Sequence, residues 1–316
     1  MNTYNVAVTG YDAEMTADML LRVHELQADQ YHDGNVLAAV GNAIYSITDD
    51  GGSYRIAGNA TEAGYKAGFY TNARFNLTAG LTQVSYGIVL ISDQNNQCLR
   101  RLDRITGHVS IFAGECGNGT RYYEGIDYIQ WSTFNKPSRL QYDANSRKIY
   151  LLDVLEFGVR SAILSKNYYQ KDELNERVIH ITTHGGSVND FIYDSIFNTY
   201  TISDHSGVSK LGTYGSRSTF DIPDAFGLAR VDDVLIVSRF NSGAVMVIDE
   251  RKGGNISICG TEAKYHYGLP YCSLSHPTSV AVVGGYLYIG STVDEESWPW
   301  KKKAIVTKVS LTTAGK

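Results

Sequence analysis

The chain has 316 residues, 28 of them basic and 33 acidic, for a net charge of −5, and no run of like charge exceeds Lys301-Lys302-Lys303. That balance lacks the basic footprint a phosphate backbone requires, so no nucleic-acid partner is expected. Apolar runs such as IVLIS and AVVGGYLYIG stop far short of a bilayer's width, so no membrane insertion within this chain is expected either.

The N-terminal MNTYNVAVTG has neither the basic nor the apolar region of a secretory signal, so secretion would mean that a leader has been removed. Within it, VAVTG (6–10) reads as a strand. The segment from Asp12 to Gln27 is the one stretch of helix-friendly composition, MTADMLLRVHELQ. From there on, short β-branched and aromatic runs alternate with Gly, Asn, Asp and Ser clusters, as expected where 31 glycines and 23 tyrosines meet only 5 prolines.

A strand closing on a small residue and glycine recurs at YRIAG (54–58), SIFAG (110–114), ITTHG (181–185) and SICG (257–260), with a weaker relative at STFDI (218–222). The second unit is the clearest, with LTQVSY, GIVLISD, QCLRRLD and HVSIFAG as four successive strands. The fifth repeats the order in FGLARVDD, VLIVSRF, AVMVIDE and ISICG. The sixth has TSVAVVGG, YLYIGS and VTKVSL and lacks a fourth strand, which VAVTG at the other terminus would supply.

The expected fold class is therefore all-β: a six-bladed β-propeller of four-stranded blades, its ring closed by the N-terminal strand pairing with the C-terminal blade. Residues 1–316 form one domain on this reading. Its units end near 58, 114, 185, 222 and 260, and the last runs to 316 and is closed by 4–10. A pair of β-sandwiches or a β-solenoid is the alternative.

The segments IAGNATEAGYKAGFYTNARFN, VLISDQNNQCLRRLDRITGHVSIFAG and STFNKPSRLQYDANSRKIYLLD resemble the NHL repeat. Its pattern runs from an A-G strand end through a glycine-rich loop to A-R-F-N-x-P-x-G and then L-Y-V-A-D-x-x-N-x-R-I. The match is good from about Gly51 to Asp153, returns in SHPTSVAVVGGYLYIGS and is faint between Val154 and Ile222, where LSKNYYQKDELNE is an insertion. The resemblance implies a six-bladed propeller of the extracellular type. It does not imply one function, because such rings include RNA and protein binders, a lyase and many binding ectodomains.

On a propeller blade the third strand starts at the face where the fourth ends, which makes Cys98 and Cys116 neighbours. Cys259 and Cys272 flank a short loop on the same face. Of the three connectivities four cysteines allow, this favours 98–116 with 259–272 and an oxidising compartment, hence a secreted or cell-surface protein. Four reduced thiols in a cytosolic ring are the alternative. Asn59, Asn76, Asn118 and Asn255 head glycosylation sequons. A chain of this composition yields about three such matches by chance, so they carry little weight.

The loops expected on that face are rich in aromatics. Tyr65, Tyr70, Tyr122, Tyr123, Tyr128, Trp131, Tyr265, Tyr267, Tyr271, Trp298 and Trp300 are the candidate binding residues, for a protein or glycan ligand. Packing between the inter-blade loops is the competing role for each of them.

The eight histidines, His24, His32, His108, His180, His184, His205, His266 and His276, show no repeated spacing, and only His276 and His24 fall near starts of first strands. Two are too few for a three-histidine metal site, so neither a metal site nor another cofactor is expected, and no catalytic residue is assigned. Asp93, Asp153 and Asp204 end second strands, where they are expected to hold the following turn. The sequence thus points to an extracellular or cell-surface binding ring that engages its partner through the inter-blade loops. A calcium- or zinc-dependent hydrolase or lyase at the central channel is the main alternative, and an intracellular RNA- or protein-binding ring the third.

Overall fold

Among the described residues, six antiparallel sheets follow one another along the chain. The structure, a computed structural model, describes residues 4–7, 22–114, 116, 134–153, 158–163, 176–177, 188–212, 217–259, 274–294 and 302–310. The first sheet runs Val23–Ala28, Val36–Val40, Ala43–Ile47, Ser53–Gly58. The second runs Thr78–Ser85, Ile88–Asp93, Cys98–Asp103, His108–Ala113 and carries a fifth, two-residue strand, Gly68–Phe69, on its outer edge.

The third sheet begins with Pro137–Asp143 and Lys148–Asp153, followed by Gly158–Ile163 and Glu176–Arg177. Asp190–Asp194, Thr199–Asp204, Gly207–Gly212 and Arg217–Phe220 make the fourth, and Ala225–Val231, Val234–Arg239, Ala244–Asp249 and Asn255–Cys259 the fifth. The sixth holds Ser279–Val283, Tyr286–Asp294 and Lys302–Ser310, and against the last of these lies Tyr4–Ala7, with Val6 opposite Val306.

The helix-friendly composition of Asp12–Gln27 does not make a helix in the described part of the segment. Val23–Gln27 belongs to an innermost strand, because Val23 and Leu26 are fully or nearly fully buried in the seam with the sixth sheet. Tertiary burial there outweighs the helix propensity of Leu, Glu and Gln. The expectation of four strands throughout fails at the second sheet. Gly68–Phe69 joins it through the pair His108–Phe69, beside Gly107, where a Cβ would overlap the Tyr70 ring.

Middle strands such as Val36–Val40 and Ile88–Asp93 are buried along their whole length, which requires both faces of each sheet to be covered. Six apolar clusters supply the cover, each between two neighbouring sheets. Phe75, Leu81 and Ile44 lie between the first and second, and Leu90, Phe134 and Leu151 between the second and third. Later seams are filled by Tyr150 and Ile202, then Val208 and Val237, then Ile236 and Leu287. The remaining cluster joins the last sheet to the first through Val306, Tyr288, Tyr45 and Val40. Sheets stacked in this manner form a β-propeller.

The A-G and F-N motifs have a shared physical basis. Gly58 ends an outer strand at φ +80°, and a Cβ there would stand 2.7 Å from the Phe75 ring. Gly114, at φ +81°, meets Phe134 in the same way one sheet later. Glycine both adopts the left-handed conformation and lets the next loop's phenylalanine seat against the strand end.

Candidate functional site

The first strands of the six sheets surround a cavity of about 150 Å³. It is lined by His24, Ala79, Ser138, Asn189, Phe226 and Thr278, which come in turn from the first to the sixth sheet or from the residue just before its first strand. The cavity is thus the end of the central channel where the first strands begin. Gln94, from the turn beside Cys98, also lines it, which puts the channel mouth on the disulfide's face.

One side chain ties this region together. Arg139, 3% exposed, donates to the His24 carbonyl in the first sheet and, at 2.9 Å, to the Thr278 carbonyl at the sixth. It also forms ion pairs with Glu25 at 3.2 Å and with Asp190 of the fourth sheet at 3.6 Å. Asp190 in turn accepts the Leu228 N–H of the fifth sheet at 2.8 Å. Burial pushes the carboxyls of Glu25 and Asp190 up, against the pull of Arg139. Burial also drives the His24 imidazole down to about 3, with the Arg139 and Arg22 charges adding to the effect. Its Nε2 is buried without a hydrogen-bond partner.

Sequence reasoning missed this cluster, whose members lie far apart in the chain. A signal was present, however. Strand register places Glu25 opposite Ala39, Gly80 opposite Ser92 and Asp190 opposite Ser203, at the start of the respective first strands. In FNKPSR, Arg139 takes the place of the glycine in the N-x-P-x-G pattern, which Gly80 fills in the unit before. A Cβ at Gly80 would collide with the Ser138 backbone, so the ordinary role of that position is close approach between neighbouring first strands. Arg139, at that position, lines the cavity.

The predicted disulfide Cys98–Cys116 is present. Cys259 is disulfide-bonded too, while its expected partner Cys272 lies outside the described residues. Of the candidate binding residues, Tyr65 is 60% exposed in a loop held by a 2.7 Å bond from Asn96 to the Gly64 carbonyl, near the disulfide's end of the sheet. Tyr70 lies at the other end. Its N–H bonds to Gly107 in the turn that follows Cys98–Asp103, so it does not share a face with Cys98. Tyr122, Tyr123, Tyr128, Trp131, Tyr265, Tyr267, Tyr271, Trp298 and Trp300 lie outside the described residues, as does Asn118. Asn255 is exposed; Asn59 is half-buried and accepts the Thr61 N–H, and Asn76 is half-buried beside Asn95.

The aspartates hold loops, and two of them reach a loop besides the one expected. Asp93 accepts the N–H of Asn76, and Asp153 those of Asn135 and Lys136, so each ties its strand to the loop that enters its own sheet. Asp93 also holds the turn that follows it, accepting both bonds from the Asn96 side-chain amide at 2.9 Å, and Asp204 holds its own through Ser206 and Gly207. Asp93 also pairs at 3.0 Å with Arg100, both side chains fully buried, and burial pushes its carboxyl up to about 6. His276 packs its ring on Phe240. Among the described residues, the one grouping of suitable ligand atoms is Asp93, Cys98 and Cys116, whose sulfurs are already bonded to each other.

No family model matches the sequence, and no curated protein does. Solved structures do match. A streptogramin B lyase has 9% identity and a TM-score of 0.51 over 99% of this chain and 88% of its own. Virginiamycin B lyase from Staphylococcus aureus has 12% identity and a TM-score of 0.51 over 98% and 99%. A chain of a nidogen/laminin complex has 10% identity and a TM-score of 0.50 over 74% and 78%. At these identities the likeness is one of fold, and the fold this chain shares with them is the β-propeller.

Proposed function

We propose that the chain is an extracellular or cell-surface binding ring of six blades, closed by Tyr4–Ala7, that takes a protein or glycan partner on its inter-blade loop face. The NHL type of repeat is part of this reading, supported by the recurring Gly58–Phe75 and Gly114–Phe134 contacts and by the Asp93–Asn76 and Asp153–Asn135 bonds. The observation that carries the function is the Cys98–Cys116 bridge, which anchors the start of the aromatic-rich segment 117–133 at the end of the sheet where Tyr65 stands exposed. A cross-link at the root of a binding segment limits its conformations before a partner arrives, and so lowers the entropy lost on binding. One structural neighbour is a chain of a nidogen/laminin complex.

The test is a screen of the intact protein against an array of glycans and a panel of secreted proteins, repeated with Tyr65→Ala and with Trp298→Ala/Trp300→Ala. Retained affinity in both variants would move the site elsewhere. Catalysis at the channel is the second reading, favoured by the raised carboxyl of Glu25 beside His24 and by the two lyases among the structural neighbours. It stands behind binding because Arg139 engages both channel carboxylates, Glu25 and Asp190, and an imidazole near 3 is a weak base at neutral pH. Turnover of any substrate abolished by Glu25→Gln would reverse that order.

A further inference from the structure

The channel mouth holds a cation with no acid paired to it among the described residues. Arg22 is half-buried, and desolvation lowers its pKa. Among the described residues no carboxylate pairs with it. Its guanidinium lies 4.8 Å over the Phe240 ring, and Phe240 stacks on Phe226 with centroids 5.3 Å apart. Stacking occupies one face of the guanidinium and leaves its edge, with the N–H fork, open to a planar anion.

Other groups narrow the class of ligand. His24 lines the same cavity with a buried, unpartnered Nε2. A neutral ring that carries its proton on Nε2 would find an acceptor in a bound oxyanion. Arg139 adds positive charge nearby, partly offset by Glu25 and Asp190. Two carboxyl groups so close, negative whenever ionised, disfavour a dianion such as a phosphate ester but leave room for a single charge. Ala79, Val188 and Phe226 give the cavity an apolar wall, and about 150 Å³ suits a small organic molecule.

We propose that this end of the channel binds a small amphipathic monocarboxylate, its carboxylate on Arg22 and His24 and its apolar part against Phe226. The site is independent of the loop-face partner, and it can exist whether or not that partner does. Benzoate is the probe, with benzamide as its uncharged isostere, and binding to the full chain is followed by calorimetry and by the imidazole NMR signals of His24.

Benzoate is expected to bind and shift the His24 signals, and benzamide to do neither. Arg22→Met, which keeps the side chain's apolar length, should weaken benzoate at least about tenfold, while Arg251→Ala on an exposed turn of the fifth sheet should change nothing. Equal binding of benzamide, undiminished affinity in Arg22→Met, or no binding at about 50 mM benzoate would overturn the proposal. Should Arg22→Met fail to fold, the His24 signals of the unaltered protein still decide the matter: unmoved by benzoate, they refute it.

Discussion

Lys308 of the last sheet donates its ammonium to the carbonyl of Asp49, 2.8 Å away in the first, and also to that residue's carboxylate. The same ammonium lies 3.9 Å over the Tyr286 ring, and Lys308 is 4% exposed. A buried cation thus bridges the seam between the last sheet and the first. Lys308→Met should cost about 1–2 kcal/mol in urea denaturation. Asp49→Ala should cost clearly less, because the Asp49 side chain is 66% exposed and its carbonyl bond survives the change. Equal losses would mean that the surface carboxylate, and not the buried bond and ring, holds the seam.

A second prediction concerns Asp93 and Arg100. With both side chains fully buried, Asp93→Asn strands a guanidinium away from water and should destabilise by about 3–5 kcal/mol. Asp93→Asn combined with Arg100→Met should recover part of that loss, since no charge is then left unpaired. A double variant less stable than Asp93→Asn alone would show that Arg100 acts mainly through its other bonds, to the carbonyls of Lys66 and Arg74.

How far the sequence reveals this molecule depends on the range of the interaction. The Cys98–Cys116 bridge was legible because the two residues occupy one hairpin, and the A-G endings were legible because each unit repeats them. Val23–Gln27 misled because local propensity favours helix while the strand is dictated by contacts with Tyr288 and Val306, hundreds of residues away. Gly68–Phe69 was invisible since two residues carry no periodicity, and its pairing moves Tyr70 to the opposite end of the sheet. The Arg139 hub joins residues from Asp190, in the next sheet, to Thr278, 139 positions along the chain, and only the break in the N-x-P-x-G pattern announced it.

His24 makes stability depend on pH. Its folded pKa of about 3 lies below the ordinary 6.5, so on acidification the unfolded chain takes up a proton that the folded chain refuses. The contribution is intact above pH 6.5 and is lost as pH falls toward 3, reaching about 3 kcal/mol by pH 4. Asp93, raised to about 6, works with the opposite sign, so the comparison must be made between variants. Urea midpoints at pH 7 and pH 4 should fall further in the unaltered protein than in His24→Gln. Parallel losses would remove His24 from the account.

Alkylation of the denatured protein without reductant should label none of the four cysteines, and reduction should expose all of them. Loss of the Cys98–Cys116 bridge in Cys98→Ala/Cys116→Ala should lower stability by about 3 kcal/mol. Four reactive thiols before reduction would contradict both the bridge and the oxidising compartment proposed from it.

The placement of the loop face and the channel rests on Tyr4–Ala7 completing the sheet of Lys302–Ser310. Thermal unfolding of the chain without residues 1–10, beside the full chain, tests this most directly. Loss of an outer strand should lower the midpoint by roughly 5–10 °C. An unchanged midpoint would contradict the closed ring.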